Sequence, residues 1–468
     1  MSHGALLAVA AGGVALLLLM IIKAKIQPFV ALVVVSIGVA LTAGVPAAEL
    51  VATIEEGMGS TLGHIATIIA LGAMIGRIIE LSGGAASLAH SLMERFGEKR
   101  TPLALTAAGF LLGIPVFFEV GLIILMPIAY GVARASRKPL LVYALPMGAA
   151  MLTVHAFLPP HPGAVAAATT IGADQGWVLL FGIPVTAVVI LLGYLLAKRM
   201  TRREYPMTAD VYAKVFGGGD DSEAGSEHGS ENEPAPKAAV EGAENPPSFG
   251  MVVSLIVTPI VLILLGTIGT NFLSEGSTLR AVLTVLGAPM VALLVAAALA
   301  AYFLGARRGW SSARISEVMG SALPGVAMVI LVAGAGGVFG KVLVKTGIGD
   351  AVADVLDRTG LPLLALAFAM TMLLRAVQGS TTVALVTTAG LITPLLQRTD
   401  LSPQQLALVC LAMGAGGLSV SHINDAGYWM FTRLVGLEVG DGLRTWTVLT
   451  TAMGVAGFLL TSLLWLVV

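Results

Sequence analysis

The chain has 468 residues, of which 57% are hydrophobic and only 11% charged. So apolar a composition marks an integral membrane protein and excludes a disordered chain, and a formal net charge of -1 excludes a basic nucleic-acid binder. The single cysteine, Cys410, cannot form an internal disulfide, so a disulfide-stapled scaffold is excluded too.

In chain order, apolar segments fall at 5–22, 27–44, 62–82, 101–133, 139–170, 176–197, 249–273, 279–304, 321–345, 361–396, 402–433 and 443–468, two sets of six. The first has no basic stretch ahead of it and no small-residue cleavage pattern, so it reads as a retained helix rather than a signal peptide. Between the sets, residues 201–247 carry ten acidic and four basic residues and the triplet Gly217, Gly218, Gly219. Such a stretch buries too little apolar surface to fold alone and reads as a flexible, acidic, cytoplasmic linker.

The halves resemble each other at an offset of about 264 to 267 residues, the signature of an internal repeat. Gly72-Ala-Met-Ile-Gly76-Arg77 aligns with Gly336-Gly-Val-Phe-Gly340-Lys341, and Ser82-Gly83 with Thr346-Gly347. Arg77 and Lys341 therefore occupy matching positions, which suits a bracing role in the scaffold. Amphipathic stretches follow at Ala85 to Gly97 and Gly349 to Gly360, both suited to the membrane interface.

A plain helix crosses the hydrocarbon with about 20 residues, so the segments of 32 to 36 residues must fold back or be interrupted. Segments 101–133 and 361–396 hold Gly113-Ile-Pro115-Val-Phe-Phe-Glu119 and Arg375-Ala-Val-Gln378-Gly379-Ser380-Thr381-Thr382 at their centres and read as re-entrant hairpins. Segments 139–170 and 402–433 hold His155-Ala-Phe-Leu-Pro159-Pro160-His161-Pro162-Gly163 and Ser419-Val-Ser421-His422-Ile-Asn424-Asp425-Ala-Gly427, and read as crossings unwound at midplane. The expected fold is an all-α polytopic membrane protein of two inverted repeats, each with five transmembrane helices and one hairpin. With both termini on the periplasmic side, 19 of the 26 Lys and Arg residues fall inside and only Arg280, Lys345, Arg358 and Arg398 outside, as the positive-inside rule demands. The repeats span 1–200 and 248–468.

Ionisable groups in hydrocarbon cost at least about 2.5 kcal/mol on insertion scales, so each needs a partner, a water-filled cavity or a function. The four breaks collect most of them: Glu119, His155 and His161, Arg375, and His422, Asn424 and Asp425, among Gln378, Gly379, Ser380, Thr381, Thr382, Ser419 and Ser421. A polar midplane cavity of this kind suits an anionic, hydroxyl-rich solute. Half-helix N-termini near Ser380 and Asn424 would aim backbone N–H groups at a carboxylate, and Arg375 could add a cation. Concentrating a monoanion against an inside-negative potential, at about 2.3 kcal/mol per 100 mV, needs a coupled cation. Protons are the simplest, with Glu119 or Asp425 as carrier and His422 or another histidine as relay. The bland readings are that Glu119 is locked in an ion pair with Arg77 or another cation and that His155 is a satisfied core histidine.

Three runs, Arg375 to Ala384, Gly337 to Gly349 and Ser421 to Trp429, resemble the bacterial gluconate:proton symporter (gluconate permease) family. The resemblance covers both membrane halves and excludes 201–247. It implies an inner-membrane carrier of gluconate or a related sugar acid, with glycerate, idonate, fructuronate and D-serine among relatives' solutes, and no cofactor. It also implies a homodimer with an elevator movement, in which 85–197 and 347–468 move as the transport part against scaffold helices in 1–82 and 249–345. Sodium-coupled carriers grouped with this family have Ser-Asn-Thr motifs at both hairpin tips. The Pro115-Val-Phe-Phe-Glu119 run at the first tip here departs from that pattern and favours protons. The competing readings are a sodium-coupled carboxylate carrier, a channel and an intramembrane metalloenzyme built on His155, His161, His422 and Asp425. The last lacks an H-E-x-x-H motif, a G-x-S-x-G elbow and metal-ligand spacing, and no metal is expected.

Overall fold

The computed structural model describes residues 1–216, 246–348, 351 and 362–468, and these form helices and no strand. A helix satisfies its own backbone polar groups, the requirement that hydrocarbon imposes. The first half runs through α1 (His3–Ile22), α2 (Pro28–Thr42), α3 (Ala47–Leu81) and α4 (Gly84–Phe96). It continues with α5 (Thr101–Gly113), α6 (Phe118–Ser136), α7 (Leu141–Phe157), α8 (Pro162–Thr170) and α9 (Gln175–Met200). After α10 (Ala209–Phe216), the second half holds α11 (Phe249–Phe272), α12 (Thr278–Gly287), α13 (Pro289–Ala300), α14 (Ser312–Gly320) and α15 (Leu323–Lys345). It ends with α16 (Leu363–Gln378), α17 (Thr381–Leu396), α18 (Pro403–Leu418), α19 (Ala426–Val435) and α20 (Val439–Trp465).

All four long segments are broken where glycine, proline and polar residues interrupt them, at 114–117, 158–161, 379–380 and 419–425. Pro115, Pro159 and Pro160 lack the N–H that a continuing helix would use. Gly379 takes a left-handed φ of 78° that ends α16. The arms of α5–α6 and of α16–α17 pack on each other, as hairpin arms do, whereas α18 and α19 hardly touch. The packing order recurs: α5 on α7 and α7 on α9 in the first half, α16 on α18 and α18 on α20 in the second. Across the halves, α3 lies along α15, and α8 along α17. α7 and residues 407–418 of α18 are the buried centre, while Leu16, Leu19, Leu191, Leu195, Leu459 and Leu463 are exposed on the outer helices, where a bilayer would cover them.

Two elements differ from expectation. α3 has 35 residues and is about 52 Å long at about 1.5 Å per residue. It begins 15 residues before the expected segment 62–82, because Glu49, Glu55 and Glu56 lower the hydropathy of the first turns without weakening the helix. Part of the expected flexible linker 201–247 is ordered: α10 buries Val211 and Val215, and Thr208 N–H donates to Gly436 O at 2.8 Å. Arg134 donates to Lys214 O at 2.6 Å and Val215 O at 2.7 Å, satisfying carbonyls at the end of that helix. The rest of the linker, 217–245, and the amphipathic stretch Gly349 to Gly360 apart from Ala351, lie outside the described residues.

α4 does present one apolar face, with Ala85, Leu88, Ala89 and Leu92 buried. Arg77 pairs with Glu80 at 2.6 Å and reaches Ser321 at 3.1 Å, while Lys341 pairs with Glu56, so Arg77 ties α3 to the turn before α15 and Lys341 ties α15 to α3. On α3, a Cβ at Gly76 would lie 2.1 Å from Pro115 O, whereas one at Gly59 would meet nothing within 4 Å. Gly76→Ala is accordingly expected to destabilise the protein by about 2 kcal/mol through overpacking. Gly59→Ala should instead stabilise it by up to about 1 kcal/mol through helix propensity. Thermal melting of both variants in detergent checks the contrast.

Candidate functional site

The four breaks meet around a cavity of about 320 Å³. The first half contributes Phe117, Phe118, Glu119, His155 and Pro162; the second contributes Arg375, the run from Gly379 to Val383, and Asp425 to Gly427. Met328, Val329 and Val332 of α15 form an apolar wall.

Arg375 is 1% exposed and forms an ion pair with Asp425, which is 6% exposed. Its guanidinium also donates to Gly379 O and, from Nε, to Gly417 O at 3.2 Å, so carbonyls freed at the ends of α16 and α18 are satisfied. Asp425 caps α19 by accepting from Gly427 N–H at 2.9 Å, and Ser421 Oγ donates to its other oxygen. This carboxylate is therefore held from three directions. Thr381 Oγ1 donates to Gly417 O at 3.1 Å, and Ser380 caps α17 by accepting from Val383 N–H at 3.3 Å. The start of α17, with the Ser380 and Thr382 side chains, faces the cavity.

Glu119 stands in the first turn of α6, half-buried, on the cavity wall. Arg77 is engaged with Glu80, and among the described residues no cation lies within ion-pair distance of Glu119. His155 also lines the cavity, and its enclosed Nδ1 has no hydrogen-bond partner. Its ring centroid is 4.7 Å from that of His161.

Five expected solute ligands are placed elsewhere. His161 is 3% exposed and its Nε2 contacts Gly113 O, which ties the first two breaks together beside the cavity. His422 Nε2 and Asn424 Nδ2 both bond Ala376 O, at 2.9 and 2.6 Å, and so close the end of α16. Ser421 lies behind Asp425, and the Gln378 amide is unpartnered but outside the cavity lining. The physical reason is common to His161, His422 and Asn424: an interrupted helix leaves carbonyls without partners, and the nearest polar side chains serve them first. Among the described residues, no group of three or more His, Cys, Asp or Glu side chains comes together as a metal site.

Trp446 and the α15 wall were not foreseen. Trp446 Nε1 donates to Ser421 Oγ at 2.7 Å, and the only trace of this in the sequence is that a Trp in an apolar segment needs an acceptor somewhere. The wall residues Met328, Val329 and Val332 look like any other apolar helix face.

Residues 5–468 match the sequence profile of the GntP family permease. The chain is 49% identical to the inner membrane permease YgbN of Escherichia coli K12, over 100% of both chains. It is 38% identical to the gluconate permease of Bacillus subtilis, covering 99% of this chain and 100% of that one, and 35% identical to the low-affinity gluconate transporter of Escherichia coli K12, covering 96% and 95%. Its fold is shared with the YdaH transporter of Alcanivorax borkumensis, with a TM-score of 0.57 at 16% identity over 93% of this chain and 96% of that one. It is shared also with MtrF of Neisseria gonorrhoeae, with a TM-score of 0.59 at 13% identity over 92% and 93%. The protein is thus a polytopic membrane permease rather than an enzyme, and the chain belongs to the GntP permease family.

Proposed function

We propose that this permease takes up gluconate or a related sugar acid across the bacterial inner membrane in symport with protons. The observation that carries the reading is the charge arrangement of the cavity. Arg375 and Asp425 neutralise each other, the N-terminus of α17 and the hydroxyls of Ser380 and Thr382 face the solute space, and Glu119 stands there without a counter-ion. Backbone N–H groups at the start of α17 suit a carboxylate, and hydroxyls suit a polyol. An ionised Glu119 repels an anionic solute, and protonation removes that repulsion. Proton and anion therefore favour each other's binding, and such linkage is reciprocal. Transfer of both together moves no net charge, so the membrane potential no longer opposes uptake. Relatives named for gluconate support the solute.

In this reading the halves are inverted repeats, both termini are periplasmic, the linker is cytoplasmic, the protein works as a homodimer, and 85–197 with 347–468 slides against the scaffold. An asymmetry in the glycine contacts supports the slide. A Cβ at Gly72 or Gly76 of α3 would meet Pro160 or Pro115, at breaks in the first half. The aligned Gly336 and Gly340 of α15 abut Val386 and Gly390 instead. Gly390 lies ten residues beyond Ser380, about 15 Å along α17 at about 1.5 Å per residue. An outward state follows if α15 and α3 exchange these relations.

The test is uptake of labelled gluconate into proteoliposomes under an inward proton gradient without sodium. Accumulation that a protonophore collapses is the expected result; uptake only when sodium is supplied would overturn proton coupling. Glu119→Gln is expected to abolish proton-driven accumulation while sparing gluconate exchange, and intact accumulation would remove Glu119 as the carrier. For the slide, Gly336→Cys with Val386→Cys in a Cys410→Ala background is expected to cross-link, stop uptake, and recover on reduction. Transport that continues through the cross-link excludes sliding at this contact.

A further inference from the structure

α20 is not a regular helix: a π-helical turn spans Leu443–Thr447 and brings Trp446 and Thr447 to the break between α18 and α19. Thr447 Oγ1 donates to Ser421 O at 2.6 Å, and Thr451 Oγ1 accepts from Val420 N–H at 3.1 Å. Val420 needs that support because it holds a left-handed φ of 55°, unfavourable for a β-branched residue. Trp446 is fully buried and donates its indole N–H to Ser421 Oγ. An indole can only donate, so it occupies a lone pair of Ser421 and leaves the Ser421 proton for Asp425. The same ring stacks on Phe431 with centroids 4.2 Å apart and lies 5.8 Å from Phe118, the residue before Glu119. Turns of this kind recur at functional sites.

We propose that Trp446 is a positioning residue for solute binding, acting through Ser421 on the Asp425–Arg375 pair. It touches no solute. It sets the direction of the Ser421 hydroxyl, which fixes the Asp425 carboxylate, which in turn holds the guanidinium at the cavity floor. Chains of this kind polarise one another, so loss of the first donor is felt at the last acceptor. The role rests on the sugar-acid reading above.

Trp446→Phe keeps the ring packing and removes the donor. KM for gluconate uptake is expected to rise about fivefold, the size of one lost hydrogen bond, with maximal rate unchanged and the melting temperature lowered by only a few degrees, because phenyl fills most of the indole's space. Ser421→Ala should give a comparable rise, and the double variant should be no worse than Ser421→Ala alone, because the two residues act in series. An unaltered KM in Trp446→Phe, or effects that multiply in the double variant, overturns the role. So does a lowered melting temperature at unchanged KM, which would assign Trp446 to packing alone. If the unaltered protein carries no gluconate, the substrate reading fails and this role with it; if only the variant result fails, the substrate reading stands.

Discussion

Four apolar segments are broken where they meet, and everything at the centre of this permease depends on how their freed backbone groups are satisfied. Hydrocarbon supplies no hydrogen bonds, and an unsatisfied group there costs several kcal/mol by the usual transfer estimates. The protein answers with side chains: Arg375 for Gly379 O and Gly417 O, His422 and Asn424 for Ala376 O, His161 for Gly113 O and Thr447 for Ser421 O. Buried Arg375 in turn requires Asp425, and Asp425 is completed by Ser421 and the cap of α19. The polar centre is first a device for ending helices.

That priority separates the residues with spare capacity from those without it. Glu119, His155, Ser380 and Thr382 line the cavity; among the described residues Glu119 has no counter-ion, and His155 Nδ1 has no hydrogen-bond partner. A buried ion pair alone is weak evidence for stability, and replacing one by apolar residues is often harmless. Here the pair also meets backbone carbonyls, which an apolar substitute could not do. Its near-zero net charge makes the lone carboxylate of Glu119 decisive for the sign of the cavity.

The fold was largely legible in the sequence. Overlong apolar segments with Gly113 and Pro115, Pro159 and Pro160, Gly379, or Asn424 and Asp425 at their centres announce breaks, because few other reasons put such residues in hydrocarbon. What stayed hidden follows from ambiguity in the same signal. His422 and Asn424 carry the donors that a solute ligand would carry, and nothing in their identity says that a carbonyl at the end of α16 takes them. Hydropathy also understated α3, whose acidic first turns belong to the helix but not to the apolar stretch. In α10, Val211 and Val215 are too few to stand out within an acidic linker, although Arg134 and Gly436 hold them in place.

Gly379 joins two of the breaks more tightly than any side chain does. A Cβ there would lie 2.0 Å from Asn424 O, so the tip between α16 and α17 is seated directly on the backbone between α18 and α19. These two jaws of the second half cannot part without losing the seat on which Arg375 and Asp425 are built. If the proposed solute sits beside Ser380 and Asp425, its way out lies on the side away from this seat, along the α15 wall or past Glu119. Tip and break therefore form one piece, and any opening of the cavity falls between that piece and the elements that carry Glu119 and the α15 wall.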